Sequence, residues 1–452
     1  MRALIKCSLT LCVLLAMVLT ARGGVDSVAA DLRAKEAALT ARQRVMRDSI
    51  GSIVRQQMVN TANSSRAQGD TVGNSRLRVS LLTCGPGSEI YEYYGHSAIR
   101  VQRTDSSALD VVFNYGVFDF NSRNFALRFA LGHTDYVCAE QKTAEFVEHY
   151  RRKGIYIDEQ VLNVSQREAQ RLYDALMENC RPENCVYRYN FFFDNCATRV
   201  RDKIEDCLEG KLRYPERPTE RSLRDAVHFY SHNYRWATFG QDLLLGSEAD
   251  IPATGRELQF APLIMEQDFA QTLIIDQSGM VRLFAAEKQR LLEGRYDPSV
   301  SASGTSLSSE VLSPLAVMVY LLLFVLVLGI WEWHKGRIVW IVDSALLIMQ
   351  GLGGIIVAFL YFFSTHPTVG SNVLVWVLNP LPLLGLYWQI KGGRTRCYWY
   401  YHAVALVVLA IFLVALPQST QYVSPATKVM LITLLLRNII NVAVFLKNKR
   451  RK

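Results

Sequence analysis

Apolar positions change rhythm along this chain. Between residue 76 and about residue 310 they come in short runs separated by turn residues. RLRVSLLTC (76–84), GHSAIRVQR (95–103) and ALDVVFNYGVF (108–118) alternate, as strands with one buried face do. GPGSE (85–89) marks a turn between the first two. TAEFVEHYRRKG (143–154) and SQREAQRLYDALMENC (165–180) have the helical period, and Ser165 is placed to cap the second. CVYRYNFFF (185–193) is strand-like. In NCATRVRDKIEDCLEG (195–210), Cys196, Val200, Ile204 and Leu208 share a helix face, and Gly210 is placed to end it. Strands before helices, without regular βαβ alternation, predict an α+β domain.

From residue 312 onward the apolar runs lengthen. Five of them, at 313–333, 338–363, 373–390, 402–418 and 429–446, approach the ~20 residues that a bilayer requires. HKGR (334–337), KGGRTR (391–396) and KNKRRK (447–452) are basic. STHPTVGSN (364–372) has no Lys or Arg, and QSTQYVSPATK (418–428) has only Lys428. Basic and nearly uncharged connections alternate, so the positive-inside rule fits five spans with the preceding domain on the outer side.

The N-terminus agrees with that orientation. MRALIKCSLTLCVLLAMVLTARGG has two early cations, an apolar run and small residues, which predicts a secretory signal or signal anchor over 1–24. Residues 25–75 read as a charged helix and polar linker, 76–311 as the exported catalytic domain and 312–452 as the five-helix membrane domain. The formal charge of +9 implies no nucleic-acid partner, because much of the excess lies in the cytoplasmic loops.

Of nine cysteines, Cys84, Cys138, Cys180, Cys185, Cys196 and Cys207 fall in the exported domain. Six allow three disulfides, with Cys180 and Cys185 spaced to close a small loop. The spacings do not form the paired units of a zinc site, and no metal or cofactor is expected. Cys196 differs from the rest in standing at a predicted helix N-terminus. Free N–H groups and partial positive charge there favour thiolate and can hold an oxyanion near Asn195 and Cys196. His96, opening a strand, supplies a base. Asn114 on the following strand is a candidate to orient the imidazole, with His133 and Asp110 as rivals.

GHSAIRV followed by an Asn-Cys pair resembles the circularly permuted NlpC/P60 branch of papain-like enzymes. A wider resemblance runs through SLLTCGPGSEIYEYYGHSAIRV, FNYGVFDF, FFFDNCATRVRD, DLLLGSEAD, THP and LNPLPLL. By these the chain resembles Lnb-type lipoprotein N-acyltransferases. The resemblance implies an inner-membrane enzyme with its catalytic domain in the periplasm. It would move a fatty acyl chain from a phospholipid through a Cys196 thioester to the N-terminal amine of a diacylated lipoprotein. The alternatives are a Cys–His amidase or peptidase of cell-wall peptides and a non-enzymatic, disulfide-bonded envelope protein.

The remaining site expectations concern substrate. Arg199 and Arg201 follow the nucleophile and are candidates for lipid phosphate, against a solvated face or a pair with Asp202. His366 and Asn379 lie toward the outer ends of the spans and are candidates for substrate contact, and NPLPLL (379–384) is expected to break the third span and widen a groove for acyl chains. Asp343 and Arg437, nearer the inner half, suit a structural pair. The loop 242–257 is a candidate border of the acceptor site, and a surface loop is its alternative.

Overall fold

The computed structural model describes residues 76–105, 109–117, 124–217, 220–276, 278–295, 311–390 and 396–450. The expected signal segment and helical linker at 1–75 lie outside the described residues. The chain divides into two units, 1–73 with 281–283 and 74–280 with 284–452. The second unit carries the main sheet and the membrane helices.

The exported part of this second unit is built on a seven-stranded sheet. The strands are β1 (Leu77–Cys84), β2 (His96–Arg103), β3 (Asp110–Val117), β4 (Asp135–Lys142), β5 (Ile157–Val161), β6 (Val186–Arg188) and a last strand, Gln289–Leu292. Their order is Gln289–Leu292, β5, β1, β2, β3, β4, β6, and every neighbouring pair is antiparallel. The α+β reading therefore describes the domain. β4, β5 and the last strand fall outside the runs that alternate in the sequence.

Among the helices that pack against or beside this sheet are α1 (Phe125–Leu131), α2 (Thr143–Lys153), α3 (Gln166–Asn179) and α4 (Cys196–Asp206). Val79, Leu81, Ile99, Val101 and Phe113 form a core with Leu172 and Leu176 of α3 and Val200 and Ile204 of α4. Leu82, Ala98, Val112 and Ile157 form another with Phe146 of α2. Ser165 caps α3 by accepting from Glu168 N, while Glu168 Oε2 accepts from Ser165 N at 2.7 Å. CVYRYNFFF is strand only over Val186–Arg188. Asn190 Oδ1 accepts from Phe192 N and Phe193 N at 3.2 and 3.1 Å, and this side-chain turn reverses the chain into α4. Helix α4 ends at Asp206, with Cys207 as its C-cap, short of Gly210.

Among the described residues, four helices are long and apolar enough to cross a membrane: Pro314–Lys335, Trp340–Phe363, Tyr398–Gln418 and Pro425–Arg450. The third expected run, 373–390, is not one helix. It folds as a 3-10 turn, Val373–Trp376, and a nine-residue helix, Pro382–Ile390. Pro380 and Pro382 cannot donate a backbone N–H, and Asn379 captures the freed groups: its amide donates to Val375 O and Trp376 O and accepts from Leu381 N. The broken segment still runs antiparallel to the helix before it. Gln350 Nε2 donates to Val377 O at 2.9 Å, and Gln389 Nε2 donates to Trp340 O at 2.8 Å. A Cβ on Gly354 would collide with the Asn379 backbone, so the glycine permits this approach.

Charge inside the membrane part is paired. Arg437 binds Glu332 and Asp343, and Asn441 and Tyr398 also bond Asp343, at 3.0 and 3.1 Å. Three long helices and the tyrosine of a fourth thus meet at one buried cluster, the structural role expected for Asp343 and Arg437.

The segment 242–250 lies against the membrane domain. Asn372 Nδ2 donates to Leu243 O at 2.8 Å and Leu244 O at 3.2 Å. Ser247 Oγ donates to Ser371 O, and Tyr422 N donates to Asp250 Oδ2 at 3.0 Å. Arg224, on helix Leu223–Ser231, holds the segment from behind. It is 1% exposed and binds Asp250 at 2.7 Å, Asp242 at 3.1 Å and Leu245 O at 2.9 Å. The stretch 242–250 is therefore a docking element rather than a free surface loop. Helix α1 makes a second junction, where Thr365 N donates to Leu131 O at 3.0 Å and the His366 ring bonds Phe129 O at 2.6 Å. Arg224→Met removes the guanidinium shared by the buried Asp242, left with the His228 ring, and the partly buried Asp250. Thermal and denaturant unfolding of the detergent-solubilised protein are expected to show a loss of about 3–5 kcal/mol.

Candidate functional site

The site forms where β2 begins. Gly95, with φ 80°, turns the chain into that strand, and a side chain there would meet Cys84 O. His96 follows, opposite Cys84 in the β1–β2 register. Its neighbour β3 pairs Asn114 with Ala98, which places the amide diagonally across from the imidazole. His96 Nε2 and Asn114 Oδ1 are 2.7 Å apart. That contact leaves Nδ1 for the sulfur. Of the three candidate orienters, Asn114 is the one on the ring. Asp110 bonds Arg100 and Thr143, and His133 is exposed.

Cys196 is the first residue of α4. Asn195 caps the helix, its Oδ1 accepting from Ala197 N at 2.9 Å and Thr198 N at 3.0 Å. Its Nδ2 donates to Phe191 O and Phe260 O, so the whole amide is engaged by backbone. Thr198 Oγ1 returns the cap by accepting from Asn195 N at 2.8 Å. Asn195 thus positions Cys196, and its side-chain amide has no group left for substrate. Its N–H is also withdrawn from any oxyanion, contrary to the expectation from sequence. The N–H of Cys196 has no acceptor among the described residues.

Cys196 and His96 are hydrogen-bonded to each other. Burial pushes the thiol up, but the adjacent His96, by charge and hydrogen bond, and the N–H groups of Ser97 and Ala197 outweigh it and hold the thiol below its ordinary range. Burial lowers the imidazole, yet the charge and hydrogen bond of Cys196, with Asn114 behind, leave His96 above its ordinary range. The two shifts have the signs of a thiolate–imidazolium pair. Cys196 remains partly open to solvent, while Asn195 and Ala197 on either side of it are buried. Among the other thiols, Cys138 and Cys180 lie closest, with Sγ atoms 3.1 Å apart, and Cys185 Sγ instead faces Pro182 O. All six described cysteines are free thiols in this structure.

The arginines after the nucleophile have protein partners. Arg199 binds Asp194 through two nitrogens, at 2.5 and 2.7 Å, and its guanidinium lies 4.0 Å over the Tyr187 ring. Arg201 is buried and donates to Asp202 Oδ1 at 2.8 Å and Arg256 O at 2.7 Å. His366 bonds Phe129 O, and Asn379 bonds backbone of its own turn, so neither is brought onto Cys196 by a hydrogen bond. Asn379 instead borders a cavity of about 420 Å³ among the membrane helices, with Gln350, Trp376, Pro382, Tyr401 and Val408, and no residue of the exported domain lines it.

Tyr187 is not legible as a site residue in the sequence. It sits on β6, paired with Tyr136 of β4, and its alternating setting reads only as strand. If the Cys196–His96 pair is formed, alkylation of Cys196 by iodoacetamide has its pH midpoint below that of an ordinary thiol. The rate rises as pH climbs through the depressed thiol pKa. Removing His96 with His96→Ala deletes the lowering charge and bond, so the midpoint moves upward. Rate against pH for both proteins measures this.

Two family models match the chain, the Lnb N-terminal periplasmic domain over residues 65–226 and the Lnb transmembrane domain over residues 306–449. No curated protein and no solved structure matches it. The first match contains β1 to α4 with both members of the Cys196–His96 pair, and the second contains all four long apolar helices. The chain belongs to the Lnb family and is a multi-pass membrane protein whose periplasmic N-terminal domain precedes its transmembrane domain.

Proposed function

We propose that this chain is a thiol acyltransferase of the inner membrane. It transfers a fatty acyl chain from a phospholipid, through a thioester on Cys196, to the N-terminal amine of a diacylated lipoprotein. The observation that carries this reading is the bonded sequence Asn114–His96–Cys196, set at the start of a helix. A histidine preceding its cysteine in the chain, on an antiparallel sheet, also suits the permuted papain-like arrangement.

The placement of the pair favours a lipid donor. His96 starts β2, Asn114 and Gly116 lie near the end of β3, and β4 starts at Asp135. In an antiparallel sheet these positions share one end. Between β3 and β4 lies α1, whose residues bond Thr365 and His366 just past the end of a membrane helix. The end of the sheet that bears the nucleophile is thus joined to the outer side of the membrane domain, where phospholipid esters lie. The broken segment at 373–390 supplies the fifth crossing, and the cavity beside it has the apolar walls that an acyl chain requires.

In the first half-reaction the thiolate attacks the ester carbonyl and a C–S bond forms. The ester C–O bond then breaks, and the leaving lysophospholipid oxygen takes the proton of the His96 imidazolium. In the second, the lipoprotein amine attacks the thioester and gives a proton to His96. The C–S bond breaks and the thiolate–imidazolium pair returns. Phe191 and Phe192, packed with Phe260 and Tyr94, wall the approach to α4 against water.

Intact-protein mass spectrometry is expected to find a fatty-acyl adduct on Cys196. Lipoprotein N-termini from cells with Cys196→Ala or His96→Ala are expected to lack one acyl chain, with transfer reduced about 10⁴-fold or more. Unchanged N-terminal acylation in both variants rules the reading out. Release of cell-wall peptides with no acyl adduct favours a hydrolase.

A further inference from the structure

Helix α4 offers an oxyanion less than its position suggests. The N–H of Asn195 is taken by Thr198, and those of Ala197 and Thr198 are taken by Asn195. Only the N–H of Cys196 remains. One donor is a poor match for a tetrahedral oxyanion, which gains most from fixed donors on more than one side.

A second donor stands beside it. Tyr187 is 5% exposed, and its hydroxyl is sealed from solvent with no hydrogen-bond partner among the described residues. A buried polar group without a partner calls for an explanation. Gly116 supplies the place to look. At φ 90° it has no side chain where others would carry one, and a Cβ there would lie 3.6 Å from His96 Cε1, 3.7 Å from Cys196 Cβ and 4.0 Å from the Tyr187 hydroxyl. The glycine therefore leaves an atom-sized space bordered by base, nucleophile and phenol.

We propose that Tyr187 is the second oxyanion donor of the Cys196 site, and that the acyl carbonyl oxygen enters the space left by Gly116. This rests on the acyl-transfer reading above and adds to it. When the sulfur attacks, the C–S bond forms and the carbonyl π pair moves onto oxygen. The Tyr187 O–H and the Cys196 N–H then hydrogen-bond that oxygen without giving up their protons. On collapse the pair returns, the ester C–O bond breaks, and the leaving oxygen is protonated by His96. Arg199 gains a role in the same step. Held by Asp194 and lying over the phenol ring, its charge draws electrons from the ring and strengthens the O–H as a donor.

Tyr187→Phe tests the hydroxyl alone, because the ring keeps its contacts with Arg199, Tyr115 and Tyr136. The full-length protein in detergent is mixed with a short-chain phosphatidylethanolamine, and Cys196 acylation is timed by intact mass. Iodoacetamide alkylation of Cys196 is measured alongside, since it needs the thiolate but no oxyanion hole. Acylation is expected to fall about 10²–10³-fold in Tyr187→Phe, with alkylation unchanged. Acylation at the parent rate overturns the proposal. So does an equal fall in alkylation, which makes Tyr187 a support of the thiolate. A parent protein that alkylates normally but never takes an acyl group overturns the acyl-transfer reading itself.

Discussion

Asn195 commits its entire side-chain amide to backbone. It accepts from the first turn of α4 and donates to Phe191 O and Phe260 O, two carbonyls from separate parts of the chain. This buried cap fixes where α4 starts and how it meets the sheet. Everything at the site depends on that start, since Cys196 is the next residue and has helical backbone from its own Cα onward. An N-cap of this kind contributes about 1 kcal/mol to an ordinary helix. Here its larger effect is geometric. It holds the sulfur against an imidazole carried by an extended strand of the central sheet. Both partners are set by regular backbone, and neither relies on a mobile loop.

The same logic extends to the membrane. The exported domain is tied to the outward-facing loops through Arg224, Asp242 and Asp250 on one side and 371–373 with 421–422 on the other. Most of these contacts are hydrogen bonds to backbone, which specify orientation more than they add stability. Inside the membrane the Arg437–Glu332–Asp343 cluster plays a similar part for the helices. An unpaired charge there is costly, so the helices have one register in which all three groups are satisfied. Hydrogen bonds spread over these separate segments favour one orientation of the domain on the membrane helices.

Much of this arrangement is readable from residues alone, for physical reasons that differ by element. The nucleophile is visible because Asn-Cys before a helical run announces a cap, and His96 because a histidine interrupts an otherwise apolar strand opening. The oxyanion expectation fails at Asn195 because a threonine three residues later closes a capping box, which consumes the N–H that looks free in the sequence. The break in the 373–390 span is legible in NPLPLL, whose prolines remove backbone donors, although hydropathy alone does not register it. Docking is hidden because its partners stand 123–237 residues apart. Tyr187 is hidden because nothing in VYRYN tells which tyrosine hydroxyl will lack a partner.

An acyl-transfer cycle makes two opposite demands on one sulfur. It must attack an ester, which favours a basic thiolate, and then depart from a thioester, which favours a weakly basic one. A thiol held below its ordinary range by His96 meets the second demand and loses some nucleophilicity on the first. The loss is offset by the lowered thiol pKa, which raises the fraction of sulfur present as thiolate at a given pH. In the proposed cycle His96, held above its ordinary range, would donate its proton to the leaving oxygen. One pair would then serve both half-reactions, with Asn114, 2.7 Å from the far ring nitrogen, orienting the imidazole.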